Sequence, residues 1–155
     1  MRHMDETDQK ILRILQDNAR TSLKDMGEKT FLSSPAVSSR IAKLERSGVI
    51  TGYRGLIDSE KLGYHIETFI SVAVSGERKT AFYRKIEASP HVLECFGVTG
   101  RYSVLLKAVF PGKEELERFQ KDMETFGKVS VQVVLSRPFE NRGISVEEAP
   151  VMKGS

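Results

Sequence analysis

The chemistry open to this chain lies in cations and small hydroxyls rather than in nucleophiles or metal ligands. Its 24 Lys and Arg stand against 21 Asp and Glu, with three histidines and one cysteine beside them. His3, His65 and His91 lack the spacing of a metal site or a nucleophile–base pair, and no glycine-rich phosphate loop is present. Catalysis and a metal centre are therefore not expected. Cys95 has no partner for an intramolecular disulfide and lies in an apolar run, so a buried, structural thiol is expected. What remains is a concentration of serines and cations in SSPAVSSRIAKLERSGVITGY, Ser33 to Tyr53.

That stretch reads as a capped helix. A serine N-cap followed by proline starts it, and Gly48 stops it, with Arg46 favourably placed in the last turn. At about 100° per residue, Val37, Ile41 and Leu44 fall on one side. Ser34 opens the helix, and Ser38, Ser39, Ala42, Lys43 and Arg46 cluster on the opposite side, with Arg40 flanking the seam. Serine and alanine keep that surface thin enough for close approach to a duplex. Lysine and arginine there can bind phosphates or donate to guanine edges, and Arg54 can add a phosphate contact. The bland alternative is a solvated amphipathic helix. The helical context decides between them.

Asp5 can cap a first helix that carries Glu6 and Asp8 in its first turn, with Ile11, Leu12, Ile14 and Leu15 forming its apolar arc. Asn18 to Ser22 reads as a turn and Leu23 to Thr30 as a second helix, burying Leu23 and Met26. Three short helices with tight connections make a helix-turn-helix domain over residues 1–50. Because net charge is only +3, affinity for DNA should depend on pairing two such domains.

From Val49 the period changes towards two. VITGYRGLI reads as a strand leaving the first domain, and a linker is expected over 51–64. Over 65–145 the pattern predicts strands at 66–74, 92–98, 103–110 and 129–135. Helices are predicted at 79–88, with Ala81, Phe82 and Ile86 inward, and at 114–126. The order β-α-β-β-α-β is ferredoxin-like, so the fold class is α+β. Phe69 and Ala73 oppose Ile70, Val72 and Val74, so both sheet faces carry apolar residues and two helices cover only one. A second subunit is expected on the other, giving a homodimer. Residues 146–155 are expected to be a flexible tail. The N-terminus lacks a signal-peptide core and no apolar run reaches about 20 residues, so a cytoplasmic protein is expected.

Two segments resemble the Lrp/AsnC, or feast/famine, family of transcriptional regulators. DETDQKILRILQDNART (Asp5–Thr21) is similar to its opening helix pattern. LSSPAVSSRIAKLERSGVITGYRGLID (Leu32–Asp58) is similar to its longer and more specific L-S-x-x-x-V-x-x-R-[IV]-x-x-L-E-x-x-G-[IV]-I pattern. The resemblance implies a DNA-binding regulator whose dimers assemble into tetramers or octamers, with an amino-acid effector bound between dimers and no other cofactor.

VTGRYSVLLKAV (Val98–Val109) looks like the family segment whose turn lies in the effector cleft. The resemblance thereby implicates Thr99, Gly100, Arg101, Tyr102 and Ser103; Ser130 and Gln132 alternate outward from the last strand and can either supply further side-chain contacts or be ordinary surface residues. Ser103 stands where the family commonly has an acid suited to an effector's ammonium. Arg101 stands at an often acidic or neutral position, and Val131 where threonine is common. These departures point away from an ordinary α-amino acid. Physically, a turn at Gly100 can offer N–H groups to a carboxylate, with Arg101 as a clamp. Alternatively Gly100 only makes the turn and Arg101 is solvated. A competing function is an architectural protein that compacts DNA with weak sequence preference and no effector.

Overall fold

The computed structural model describes residues 4–146. Its contacts divide the chain into two units, one of residues 1–55 with 139–155 and one of residues 56–138. The first is a three-helix domain. Asp5 caps α1 (Glu6–Asp17) by accepting from the Asp8 amide, and Ser22 caps α2 (Leu23–Thr30) by accepting from that of Asp25. Ser33 caps α3 (Ser34–Arg46), with proline in its first turn. Ile11, Leu12, Met26, Val37 and Leu44 form the core. Side chains of this size contribute roughly 1.5–3 kcal/mol each when fully buried.

The α2–α3 turn is tight. A Cβ on Gly27 would lie 2.5 Å from the Leu32 carbonyl oxygen, so this backbone approach requires glycine. Leu23, expected in the core, is exposed, because α2 turns only Met26, Gly27 and Thr30 inward.

The second unit follows the expected order: β1 (Ile66–Val74), α4 (Lys79–Glu87), β2 (Val92–Gly97), β3 (Val104–Phe110), α5 (Lys113–Glu124) and β4 (Gly127–Val133). The sheet order is β2-β3-β1-β4, with every neighbouring pair antiparallel. Ile70, Val72, Val74 and Leu106 face one way and pack with Phe82 and Ile86 of α4 and Leu116, Phe119 and Met123 of α5. Phe69, Ser71 and Ala73 face the other way, beside Leu105 and Lys107, and are only half-buried.

Several expectations need correction. Residues 49–57 form no strand, because a strand requires a ladder partner and none pairs with them among the described residues. Leu56 and Ile57 are consequently 71% and 73% exposed. Cys95 is exposed because β2 is an edge strand. Ala81 is exposed too, as α4 buries only Phe82 and Ile86.

Residues 139–146, expected to divide between the second domain and a loose tail, belong with the first unit. Val146 is buried there against the helical core, and the rest of the expected tail lies outside the described residues.

Candidate functional site

On α3 the core side is set by Val37 and Leu44, both nearly inaccessible. Ser38, Ser39, Lys43 and Arg46 are exposed, while Ser34 and Ala42 are half-buried. Arg46 and Arg54 make no ion pair among the described residues. Two cations and a row of small side chains thus form an outward face that can lie against an anionic backbone.

Arg40 is placed differently. Its Nη1 donates to Asp5 Oδ2 at 2.6 Å and to Asp8 Oδ1 at 2.7 Å. The Asp8 side chain is only 2% exposed, so its charge requires a partner, and the guanidinium supplies one across the α1–α3 contact. The amide of Asp8 and the guanidinium of Arg40 hold the Asp5 carboxyl below the usual carboxylate range. The same carboxylates raise the affinity of Arg40 for its proton.

With two acids on its Nη1, Arg40 ties α1 to α3, and its side chain stays 31% exposed. Lys43 Nζ reaches only to 4.0 Å from Asp8 Oδ2 and remains half-exposed. At the end of the helix, Tyr53 donates to Glu45 Oε1 at 2.9 Å and pins the outgoing chain. Partial burial, followed by that carboxylate, pushes the Tyr53 hydroxyl upward.

In the second unit the turn 98–103 closes a hairpin, with Val98 N–H donating to the Ser103 carbonyl at 3.0 Å. Gly100 adopts φ +108°, a conformation that favours glycine. Thr99 and Arg101 are exposed, Tyr102 is half-buried, and Arg101 Cζ lies 5.9 Å from the Tyr102 ring centroid.

Ser103 is engaged by its own chain. Its Oγ accepts from the Val74 amide at 3.0 Å and donates to the Val74 carbonyl at 3.1 Å, so it stitches the end of β1 to β3. Nor are the β4 residues gathered at the turn. Ser130 pairs opposite Ser71 and Gln132 opposite Phe69, both on the open sheet face. At about 3.3 Å per strand residue they stand roughly 10 and 16 Å back along β1 from Val74. One small ligand cannot touch Ser103 and Gln132 of the same chain.

Residues 4–51 match a model described as winged helix-turn-helix DNA-binding, and residues 67–144 match one described as the Lrp/AsnC ligand binding domain. The chain is 32% identical over 135 residues to the HTH-type transcriptional regulator LrpA of Bacillus subtilis, spanning 86% of this chain and 99% of that protein. The chain belongs to the Lrp/AsnC family. It is a transcriptional regulator with an N-terminal helix-turn-helix domain and a C-terminal ligand-binding domain.

A second Lrp/AsnC relative, the regulatory protein AsnC of Haemophilus influenzae, is 36% identical over 110 residues, 70% of this chain and 73% of that one. Among solved structures, a transcriptional regulator from Neisseria meningitidis in complex with L-Met superimposes with TM-score 0.83 at 28% identity, covering 89% of this chain and 94% of the other. AsnC of E. coli gives TM-score 0.81 at 26% identity, covering 92% and 99%.

Two features of this Lrp/AsnC chain escaped the sequence reading. One is the Asp5–Asp8–Arg40 clamp, whose acids read locally only as favourable helix-start charges. The other is the backbone conformation of Phe31. This residue sits in the left-handed region at φ 57° and is 92% exposed, with Lys10 Nζ 5.5 Å from its ring. A bulky residue with positive φ is uncommon, and its strain could be read only from the backbone.

The described helices include none long and apolar enough to cross a membrane.

Proposed function

We propose that this regulator binds double-stranded DNA through the outward face of α3, with Ser34, Ser38, Ser39, Lys43 and Arg46 at the duplex and Arg54 on an adjacent phosphate. The observation that carries this is the division of cations on one helix. Arg40 is satisfied by Asp5 and Asp8, while Arg46 faces outward with no ion pair among the described residues. Two copies assemble through the open sheet face of Phe69, Ala73 and Leu105, and such dimers can build tetramers or octamers. The protein works by binding rather than catalysis, in the cytoplasm where its DNA is.

An amino acid or a related small molecule modulates binding from the turn Thr99–Ser103, where the Gly100 backbone and Arg101 can take a carboxylate. The L-Met complex of the Neisseria meningitidis regulator supports an amino acid as the effector class. Because Ser103 is held by β1, and Ser130 and Gln132 are offset along the sheet, those three contribute from a neighbouring copy or not at all.

Selection from a randomised duplex pool tests the DNA reading. The expected result is enrichment of paired half-sites one helical turn, about 10–10.5 bp, or a multiple apart. Binding without enrichment would favour the architectural reading. A thermal-shift screen of the amino acids, L-Met included, tests the effector. A specific ligand at a hundredfold its Kd stabilises by about 2.7 kcal/mol. No shift with any of them would overturn the amino-acid class.

A further inference from the structure

Val146 ends the described chain inside the helix-turn-helix core, 8% exposed and packed with Ile11, Leu12, Met26, Val37 and Leu44. Two residues earlier, the Ile144 carbonyl accepts from Gln16 Nε2 of α1 at 3.2 Å. Gly143 lies so close to α1 that an added Cβ would meet the Gln16 side-chain oxygen at 2.6 Å. Contacts at Gly143, Ile144 and Val146 thus hold this segment on the DNA-binding unit.

The same segment is also anchored where it leaves the ligand-binding unit. Just past β4, the Val134 amide donates to the Glu67 carbonyl at 2.9 Å. The Arg137 guanidinium pairs with the Glu67 carboxylate, whose side chain is only 10% exposed, and Lys107 Nζ lies 3.6 Å from its other oxygen. Only residues 138–142 lie between Arg137, paired on one unit, and Gly143, packed on the other. Fully extended, each residue spans at most about 3.3–3.6 Å, so this connection is short.

We propose that residues 134–146 form a second tether, which couples the ligand-binding domain to the DNA-binding domain and completes the core of the latter with Val146. The linker at 51–64 is then one of two covalent connections between the units. The second runs without interruption from β4, whose outward residues lie on the open sheet face, to the two helices joined by Arg40. Its consequence for DNA rests on α3 being the DNA-contacting helix.

The test uses the full chain. In Val146→Asp, hydrogen exchange should accelerate tenfold or more in peptides from α1 and α3 and stay unchanged in peptides from β1 and β3. Its affinity for a random-sequence 30-bp fluorescent duplex should fall at least tenfold. Wild-type exchange in α1 and α3 would overturn the proposal. A second variant leaves every anchor intact and inserts Gly-Ser-Gly-Ser between Pro138 and Phe139. It should keep wild-type exchange in α1 while calorimetric unfolding of the two units moves further apart in temperature than in the wild type. A calorimetric profile identical to the wild type would contradict coupling through this tether. Exchange is read without DNA, so failure of the tether is separable from failure of the DNA reading, which would show as wild-type duplex affinity in the Lys43→Glu/Arg46→Glu double variant.

Discussion

Helix α3 and the turn 98–103, proposed to meet DNA and ligand, use their polar side chains in opposite ways. On α3 the inward cation is paired with two carboxylates through its Nη1, and the outward serines and cations are left facing solvent. At the ligand turn the central polar side chain, Ser103, is consumed by the backbone of β1, and what faces outward is mostly main chain and Arg101. The residues proposed to meet DNA therefore share one helix face of one chain. The residues proposed for the ligand are not gathered in this way, with Ser130 and Gln132 lying elsewhere on the sheet. The difference explains how a helix-turn-helix can be read from one sequence while an effector cannot.

The contrast is broken most severely on α3. Lys43→Glu/Arg46→Glu should weaken binding to a random duplex by a hundredfold or more in a fluorescence anisotropy titration, with thermal stability near wild type, because both side chains are exposed. Arg40→Ala should do the reverse in kind. It leaves the buried Asp8 carboxylate without its nearest cation and should cost about 2–3 kcal/mol in denaturant unfolding.

Ser103→Ala sharpens the other half of the comparison. Losing the bond to the Val74 amide should cost about 1 kcal/mol of stability, whereas a serine reserved for a ligand would leave unfolding unchanged.

The smallest effect concerns acid. Asp5 is held below its unfolded carboxylate value, so its contribution is fully present above about pH 4 and is lost as pH falls through the depressed value. Chemical unfolding of Asp5→Asn should therefore show a shallower loss of stability below about pH 4 than wild type.

Much of this molecule was legible because periodicity and capping are local. Ser33 followed by Pro35 marks the start of α3, and alternation marks β1 at Ile66–Val74 with the same bounds in sequence and structure. What was not legible depends on residues far apart or on partners outside the chain. Arg40 on the seam looks like any cation of a DNA helix until Asp8, 32 positions away, is found beside it.

The run 49–57 has strand composition but no ladder partner among the described residues, and Cys95 has core-like neighbours on a strand that turns out to be an edge. The packing of Val146 on the first domain joins the two ends of the sequence and leaves no periodic signal at all.

The central claim is that the inner arginine of α3 holds the fold and the outer one holds DNA. It is tested most directly by measuring duplex affinity across a salt series for wild type, Arg40→Ala and Arg46→Ala, below the unfolding temperature of each. Each phosphate contact adds about 0.9 to the slope of log K against log salt. The expected result is a slope reduced by about one unit in Arg46→Ala and unchanged in Arg40→Ala. A reduced slope in Arg40→Ala with a wild-type slope in Arg46→Ala would contradict it.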